Sequence, residues 1–157
     1  MAIEIGQEAP GFTLFDSERN KVSLVDFKGK NVVLLFFPLA FSSVCTAELC
    51  SVRDNMGLYN EAHAQVLGIS VDSLFVLNKF RQDQHLNFPL LSDFNKEAAK
   101  AYDVLYELFP AFDMQGVGKR AAFVINMEGI VKYAEVCPTP GHQPNFTAMM
   151  EILGDLK

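Results

Sequence analysis

The sequence predicts an α/β fold in which strands with parallel neighbours carry helices on their faces. Two continuous β-prone apolar runs, NVVLLFF (Asn31 to Phe37) and QVLGISVD (Gln65 to Asp72), read as strands buried on both faces. Segments with helical apolar spacing lie between and after them, the alternation that puts helices between parallel strands. At 157 residues, half of them hydrophobic and 20% charged, residues 1–157 are expected to form one domain. A chain of that size hides roughly two thirds of its unfolded surface without a disulfide staple.

From Gly11 to Lys30, short alternating segments broken by DSERN and FKGK predict an N-terminal hairpin or two edge strands. Pro38 stops the first buried strand, since proline cannot donate to a sheet ladder. In TAELCSVRDNMGLYNEAHA, Leu49, Val52, Met56 and Tyr59 mark one apolar face, so one amphipathic helix is expected to run through Gly57. Beyond the second buried strand, SLFVLNKFRQDQH reads as a helix, FPLLSD as a short strand and NKEAAKAYDV as a helix capped by Asn95. LYELFPAFDMQGVGK is irregular and apolar, a loop or a short helix and turn. RAAFVINMEGIVKYAEV is an antiparallel hairpin, with Asn126 and Gly129 supplying turn chemistry. PTPGHQPNFTAMMEILGDL is a proline-rich loop leading into an amphipathic helix. This order of elements is that of a thioredoxin-like fold with an N-terminal β extension and insertions.

Charge and cysteine usage narrow the function. A net charge of −6 without a basic cluster argues against nucleic acid or an anionic membrane as a partner. The longest apolar run, VVLLFFPLAF, is about half of what a membrane-spanning helix needs. MAIEIGQEAPGF lacks a basic stretch followed by an apolar one, so a cytoplasmic location is expected. Three cysteines, an odd number, disfavour a framework of structural disulfides and favour metal or redox chemistry.

The chemistry concentrates in PLAFSSVCTAELC, Pro38 to Cys50. Cys45 falls where a loop becomes a helix, and the unpaired N–H groups and positive dipole end there favour a thiolate. Ser42, three residues earlier, places a hydroxyl within reach of the sulfur or of an oxygen bound near it. Pro38 fixes the chain's exit from the strand and shields the thiolate from water. The C-x4-C spacing of Cys45 and Cys50, with His63, His85 and His142 scattered, makes a poor metal site, so neither metal nor cofactor is expected.

PLAFSSVC carries Pro38, Ser42 and Cys45 in the register P-x-x-x-T/S-x-x-C, and GQEAPGFTL, VLGISVDS, FPLLSD and RAAFVIN surround it in order. On these residues the chain resembles the peroxiredoxins (AhpC/TSA superfamily), in the bacterioferritin-comigratory and AhpE-like branches. The resemblance implies a thiol-dependent peroxidase in which Cys45 attacks the O–O bond of hydrogen peroxide or an organic hydroperoxide and becomes a sulfenic acid. It further implies that Arg120, in GKRAAF, supplies a cation beside the thiolate, and that Glu48 orients an arginine. Cys50 matches the branch's resolving cysteine, which would close an intrachain Cys45–Cys50 disulfide. Thioredoxin, glutaredoxin or a small thiol is the implied reductant, and a homodimer through the loops around the active site is preferred to a monomer. Ser42 stands where many members have threonine; it keeps the hydroxyl and loses the methyl that restricts its rotamer.

On an ideal helix, residues five apart have Cα atoms on the order of 8–9 Å apart. A disulfide tolerates roughly 7 Å, so a Cys45–Cys50 bond requires the helix start to unwind. The alternatives are a one-cysteine enzyme resolved by an external thiol, with Cys50 a passive helix cysteine, and a backup resolving role for Cys137. In a different class stands a copper-binding thioredoxin-like chaperone, disfavoured by the x4 spacing and Ser42. A general disulfide oxidoreductase lacks its C-x-x-C and a proline between Pro110 and Pro138. LYELFPAF is read either as lining for the peroxide pocket or a dimer interface, or as a folded-back piece of core.

Overall fold

Every residue of β3 (Asn31–Phe36) is buried, as the unbroken apolar run predicts. In the computed structural model, which describes residues 2–156, this strand is central because it pairs on both sides. It runs parallel to β4 (Ala64–Ser70) and antiparallel to β6 (Ala121–Ile125). The sheet continues from β4 through β5 (Leu90–Ser92) to the hairpin of β1 (Thr13–Asp16) and β2 (Lys21–Ser23), and from β6 to β7 (Val131–Val136). Its seven strands lie in the order β2-β1-β5-β4-β3-β6-β7, with β3, β4 and β5 parallel. The N-terminal hairpin and the late hairpin are both present.

Side-chain alternation along β3 divides the core. Val33 and Leu35, with Phe37 beyond the strand, face α1 (Ser43–Asp54), α2 (Met56–Glu61), α3 (Leu74–Asp83) and α5 (Phe146–Asp155), where Leu49, Val52, Tyr59, Leu77, Phe80, Met149 and Leu153 meet them. Val32, Leu34 and Phe36 face the other way, onto Phe123, Tyr102, Leu14 and the alanines of α4 (Glu97–Ala101). Each fully buried Leu or Phe contributes about 1.5–3 kcal/mol, so two packed faces explain why this strand anchors the site. Gly68 in β4 is required by close approach: a Cβ there would sit 2.7 Å from Leu90 Cδ2 and 3.4 Å from Phe37.

Two details depart from the sequence reading. The helix expected through Gly57 is two, because α1 ends at Asp54 with Asn55 as its C-cap and α2 starts at Met56. Leu49, Val52 and Tyr59 are nevertheless buried together, so the apolar stripe continues across the break. Asn95 does not cap α4. The cap position is Lys96 at φ 62, and the buried Asp93 carboxylate accepts the N–H groups of Ala98 and Ala99 at 3.0 and 2.7 Å. The segment from Leu105 to Gly118 is a folded-back loop, held by Tyr106 N–H to Val117 O at 2.9 Å and Phe109 N–H to Met114 O at 2.8 Å. In the NMEG turn, Asn126 Oδ1 accepts the N–H groups of Glu128 and Ile130, and Gly129 takes φ +87. Among the described residues, no helix is long and apolar enough to cross a membrane.

Candidate active site

β3 ends at Phe36, the chain turns through Pro38 to Ser42, and α1 begins at Ser43, placing Cys45 in the first helical turn. Since β6 is antiparallel to β3, with Phe36 opposite Ala121, the residue entering β6 lies beside the strand end that leads to Cys45. That residue is Arg120. Sheet register, rather than sequence proximity, brings the two together across 75 positions.

Cys45 and Arg120 are almost completely buried. Arg120 Nη2 donates to Cys45 Sγ at 3.2 Å and to the Pro140 carbonyl at 2.8 Å, while Nη1 donates to Glu48 Oε1 at 2.5 Å. Nε also points to Pro140 O, at 3.3 Å. A planar guanidinium serves the carboxylate from one nitrogen and the sulfur and carbonyl from another, whereas a lysine would have to reach all three from a single nitrogen. Glu48 is one helical turn beyond Cys45, so the same helix presents both groups to Arg120. Burial pushes the Glu48 carboxyl up to about 7, against the opposing pull of the Arg120 charge and hydrogen bond. Its Oε2 is buried without a hydrogen-bond partner.

The remaining residues of the motif are arranged around this pair. Pro38 is buried and lines a pocket of about 210 Å³ with Leu39, Ser42, Val44, Phe109, Phe112, Met114 and Arg120 among its walls. The LYELFPAF loop thus contributes pocket lining, although Phe112 is 88% exposed. Ser42 is the N-cap residue of α1, but its hydroxyl donates to the Leu39 carbonyl at 2.8 Å rather than to Cys45. Phe41, beside it, has φ 69, a left-handed conformation that costs a phenylalanine about 1–3 kcal/mol.

Cys50 lies further along α1, half-buried, its thiol donating to Gln84 Oε1 at 3.4 Å. Arg53 donates to the Gln84 carbonyl and Asn87 to the Arg53 carbonyl, so this end of α1 is tied to the turn after α3. Cys137 is buried, and burial, with Glu135 and Glu48 adding to it and Arg120 opposing, pushes its thiol up to about 11. All three cysteines are free. His63, His85 and His142 are exposed and separate, and no group of three or more His, Cys, Asp or Glu suited to a metal occurs among the described residues.

Sequence reasoning does not anticipate the Pro140 carbonyl or the tie between Gln84 and Cys50. The first is a backbone group that carries no side-chain signal. The second depends on where α3 ends against α1.

The chain matches the AhpC/TSA family over residues 5–134. It is 38% identical over 130 residues to peroxiredoxin Bcp of Bacillus subtilis, covering 82% of each chain. A putative peroxiredoxin of Mycobacterium tuberculosis is 40% identical over 131 residues, covering 83% of each. Among solved structures it is similar to peroxidoxin BcpB of Mycobacterium tuberculosis, with TM-score 0.87, 25% identity and 99% of both chains covered. A bacterioferritin comigratory protein of Xanthomonas campestris, described for its alkyl peroxide reduction activity, superposes with TM-score 0.79 and 26% identity over 92% of this chain and 90% of its own. The chain therefore belongs to the AhpC/TSA family, in its bacterioferritin-comigratory-like peroxiredoxin branch, and is a thiol peroxidase with a thioredoxin-like fold.

Proposed function

We propose that Cys45 is the nucleophile of this peroxidase. Its thiolate attacks the O–O bond of hydrogen peroxide or an organic hydroperoxide; the S–O bond forms, the O–O bond breaks, and the departing oxygen leaves as water or an alcohol once protonated. The observation that carries the reading is Arg120 Nη2 at 3.2 Å from Cys45 Sγ, in a helix's first turn beside an open pocket. A guanidinium there offsets the thiolate's charge and donates to the oxygen that gains charge as the bond breaks. Pro38 shields the sulfur, Glu48 orients Arg120, and Ser42 turns its hydroxyl from Leu39 toward bound peroxide. The apolar lining from Leu39, Val44, Phe109 and Met114 suits alkyl hydroperoxides as well as hydrogen peroxide.

The sulfenic acid then condenses with the Cys50 thiol, forming the Cys45–Cys50 disulfide and releasing water. Thioredoxin, glutaredoxin or a small thiol returns two electrons to that bond. The enzyme works as one domain in the cytoplasm, where such reductants are maintained. It pairs as a homodimer that covers Phe41, Leu108 and Phe112, which lie 49%, 53% and 88% exposed around the pocket. The deciding experiment is mass spectrometry of wild type, Cys50→Ser and Cys137→Ser after one equivalent of peroxide. Loss of two hydrogens that disappears only in Cys50→Ser supports the intrachain disulfide. A persistent sulfenic acid in wild type makes this a one-cysteine enzyme.

A further inference from the structure

Asp72 lies two residues beyond the end of β4, yet its carboxylate is bound to the loop that leads into α1. Oδ2 accepts the Ala40 N–H at 2.8 Å and the Ser70 hydroxyl at 2.7 Å. Ser70 Oγ accepts the Asp72 N–H at 3.2 Å, and the Ser92 hydroxyl donates to the Asp72 carbonyl at 2.7 Å. Ser70 and Ser92 end β4 and β5 and are partners in the parallel ladder, so the carboxylate is fixed to the rigid part of the sheet. The loop it grips is less secure by itself. Phe41 is held left-handed at φ 69, and such a residue relaxes unless its surroundings over-determine it. Asp72 restrains the loop on the Ala40 side, and the Phe41 ring rests on Phe80 with centroids 5.1 Å apart. Ser42 follows at once as the N-cap residue of α1, and Cys45 is three residues further.

We infer that Asp72 is a positioning residue for peroxide reduction: by holding Ala40 it sets where α1 begins, and so where Cys45 lies relative to Arg120 and the pocket. The inference rests on Cys45 being the nucleophile. Asp72 hydrogen-bonds to Ala40, Ser70 and Ser92, none of which lines the pocket or binds the sulfur, so its effect is on geometry rather than on thiolate charge. A small misplacement of a reacting atom is enough to slow a reaction by orders of magnitude.

The test compares stopped-flow oxidation by hydrogen peroxide with iodoacetamide alkylation of Cys45, located by peptide mass spectrometry. Asp72→Ala, folded by circular dichroism, is expected to be oxidised about 10–100-fold more slowly, with alkylation changed by less than about threefold. Asp72→Asn keeps an acceptor for the Ala40 N–H and is expected to recover to within about threefold of wild type. Wild-type oxidation of folded Asp72→Ala overturns the inference, and so does a fall in alkylation that matches the fall in oxidation. Should Asp72→Ala not fold, Ser70→Ala, which removes one brace from the same oxygen, is expected to slow oxidation by about threefold, and a wild-type rate there overturns the inference instead. Cys45→Ser is run alongside. If it still consumes peroxide at the wild-type rate, the nucleophile assignment falls and the inference with it; if it is silent while folded Asp72→Ala is fully active, only the inference falls.

Discussion

Arg120 joins Cys45 to Glu48, with Nη2 3.2 Å from the sulfur and Nη1 2.5 Å from the carboxylate. Among the described residues Arg120 is the cation paired with both, so it holds this buried cluster together and, under the proposed function, serves the chemistry as well. Arg120→Lys replaces two separately placed nitrogens by one and loses the fork geometry that meets both groups, so it is expected to lower the second-order rate with hydrogen peroxide by about 10–100-fold. Arg120→Ala strands Glu48 in the core and is expected to cost about 3–5 kcal/mol at pH 8. The cost should shrink at pH 5, where Glu48 is protonated. Peroxide stopped-flow and urea titrations at both pH values check this, and a loss independent of pH would contradict it.

Glu48 also makes stability depend on pH. Burial raises its carboxyl from 4.5 to about 7, so the unfolded chain ionises first as pH rises. The contribution is fully present below 4.5, declines between 4.5 and about 7, and is absent above. Glu48→Gln keeps a side-chain oxygen for Arg120 but removes the titration. Its unfolding free energy should therefore be flatter than wild type across that window; equal slopes in the two proteins would rule the assignment out.

Gly68→Ala tests the packing behind the site. The added methyl meets Leu90 Cδ2 at 2.7 Å, and Leu90 is fully buried, so it cannot swing into solvent to make room. The expected cost is about 1–3 kcal/mol. In a chain of this size that lowers Tm by about 2–4 °C per kcal/mol. Differential scanning calorimetry checks it, and an unchanged Tm would show that the β4–β5 contact relaxes freely.

Strong local patterns make much of this architecture legible in the amino-acid sequence. β3 and β4 stand out as apolar runs because both their faces are covered, and the late hairpin stands out because Asn126 and Gly129 encode its turn. The break at Asn55 is hidden because α1 and α2 keep one apolar stripe, from Leu49 to Tyr59, on the same core. Asp93 gives no sign of bracing α4 because it reaches five and six residues ahead, past the usual N-cap offset. Within the site, the motif picks out Cys45, Ser42 and Pro38, and family resemblance points to Arg120. The meeting of Arg120 with Pro140 depends on how the loop after β7 folds back, which no side chain announces. Spacing alone puts Ser42 near the sulfur, yet its hydroxyl is bound to Leu39, a local backbone competitor that serines at helix starts commonly find.

The two ends of α1 are held by different means, so the unwinding that the proposed Cys45–Cys50 disulfide requires is directional. Near its start, Glu48 is tied to Arg120, and the preceding loop to Asp72 through Ala40. Near its end, Arg53 binds the Gln84 carbonyl and receives a bond from Asn87, while Cys50 donates to Gln84. Closing a Cys45–Cys50 disulfide takes the sulfur from Arg120 and the Cys50 thiol from Gln84, while Arg53 keeps both the Gln84 carbonyl and Asn87. Hydrogen exchange of the oxidised protein is therefore expected to accelerate over residues 43–49 and to remain slow over 51–54. Cys137→Ser should leave that pattern and the two-hydrogen mass loss intact, because the Cys137 thiol is buried and pushed up to about 11. Cys50→Ser should abolish both. A crystal of the oxidised protein with the Cys45–Cys50 bond formed and α1 intact from Ser43 would refute the coupling.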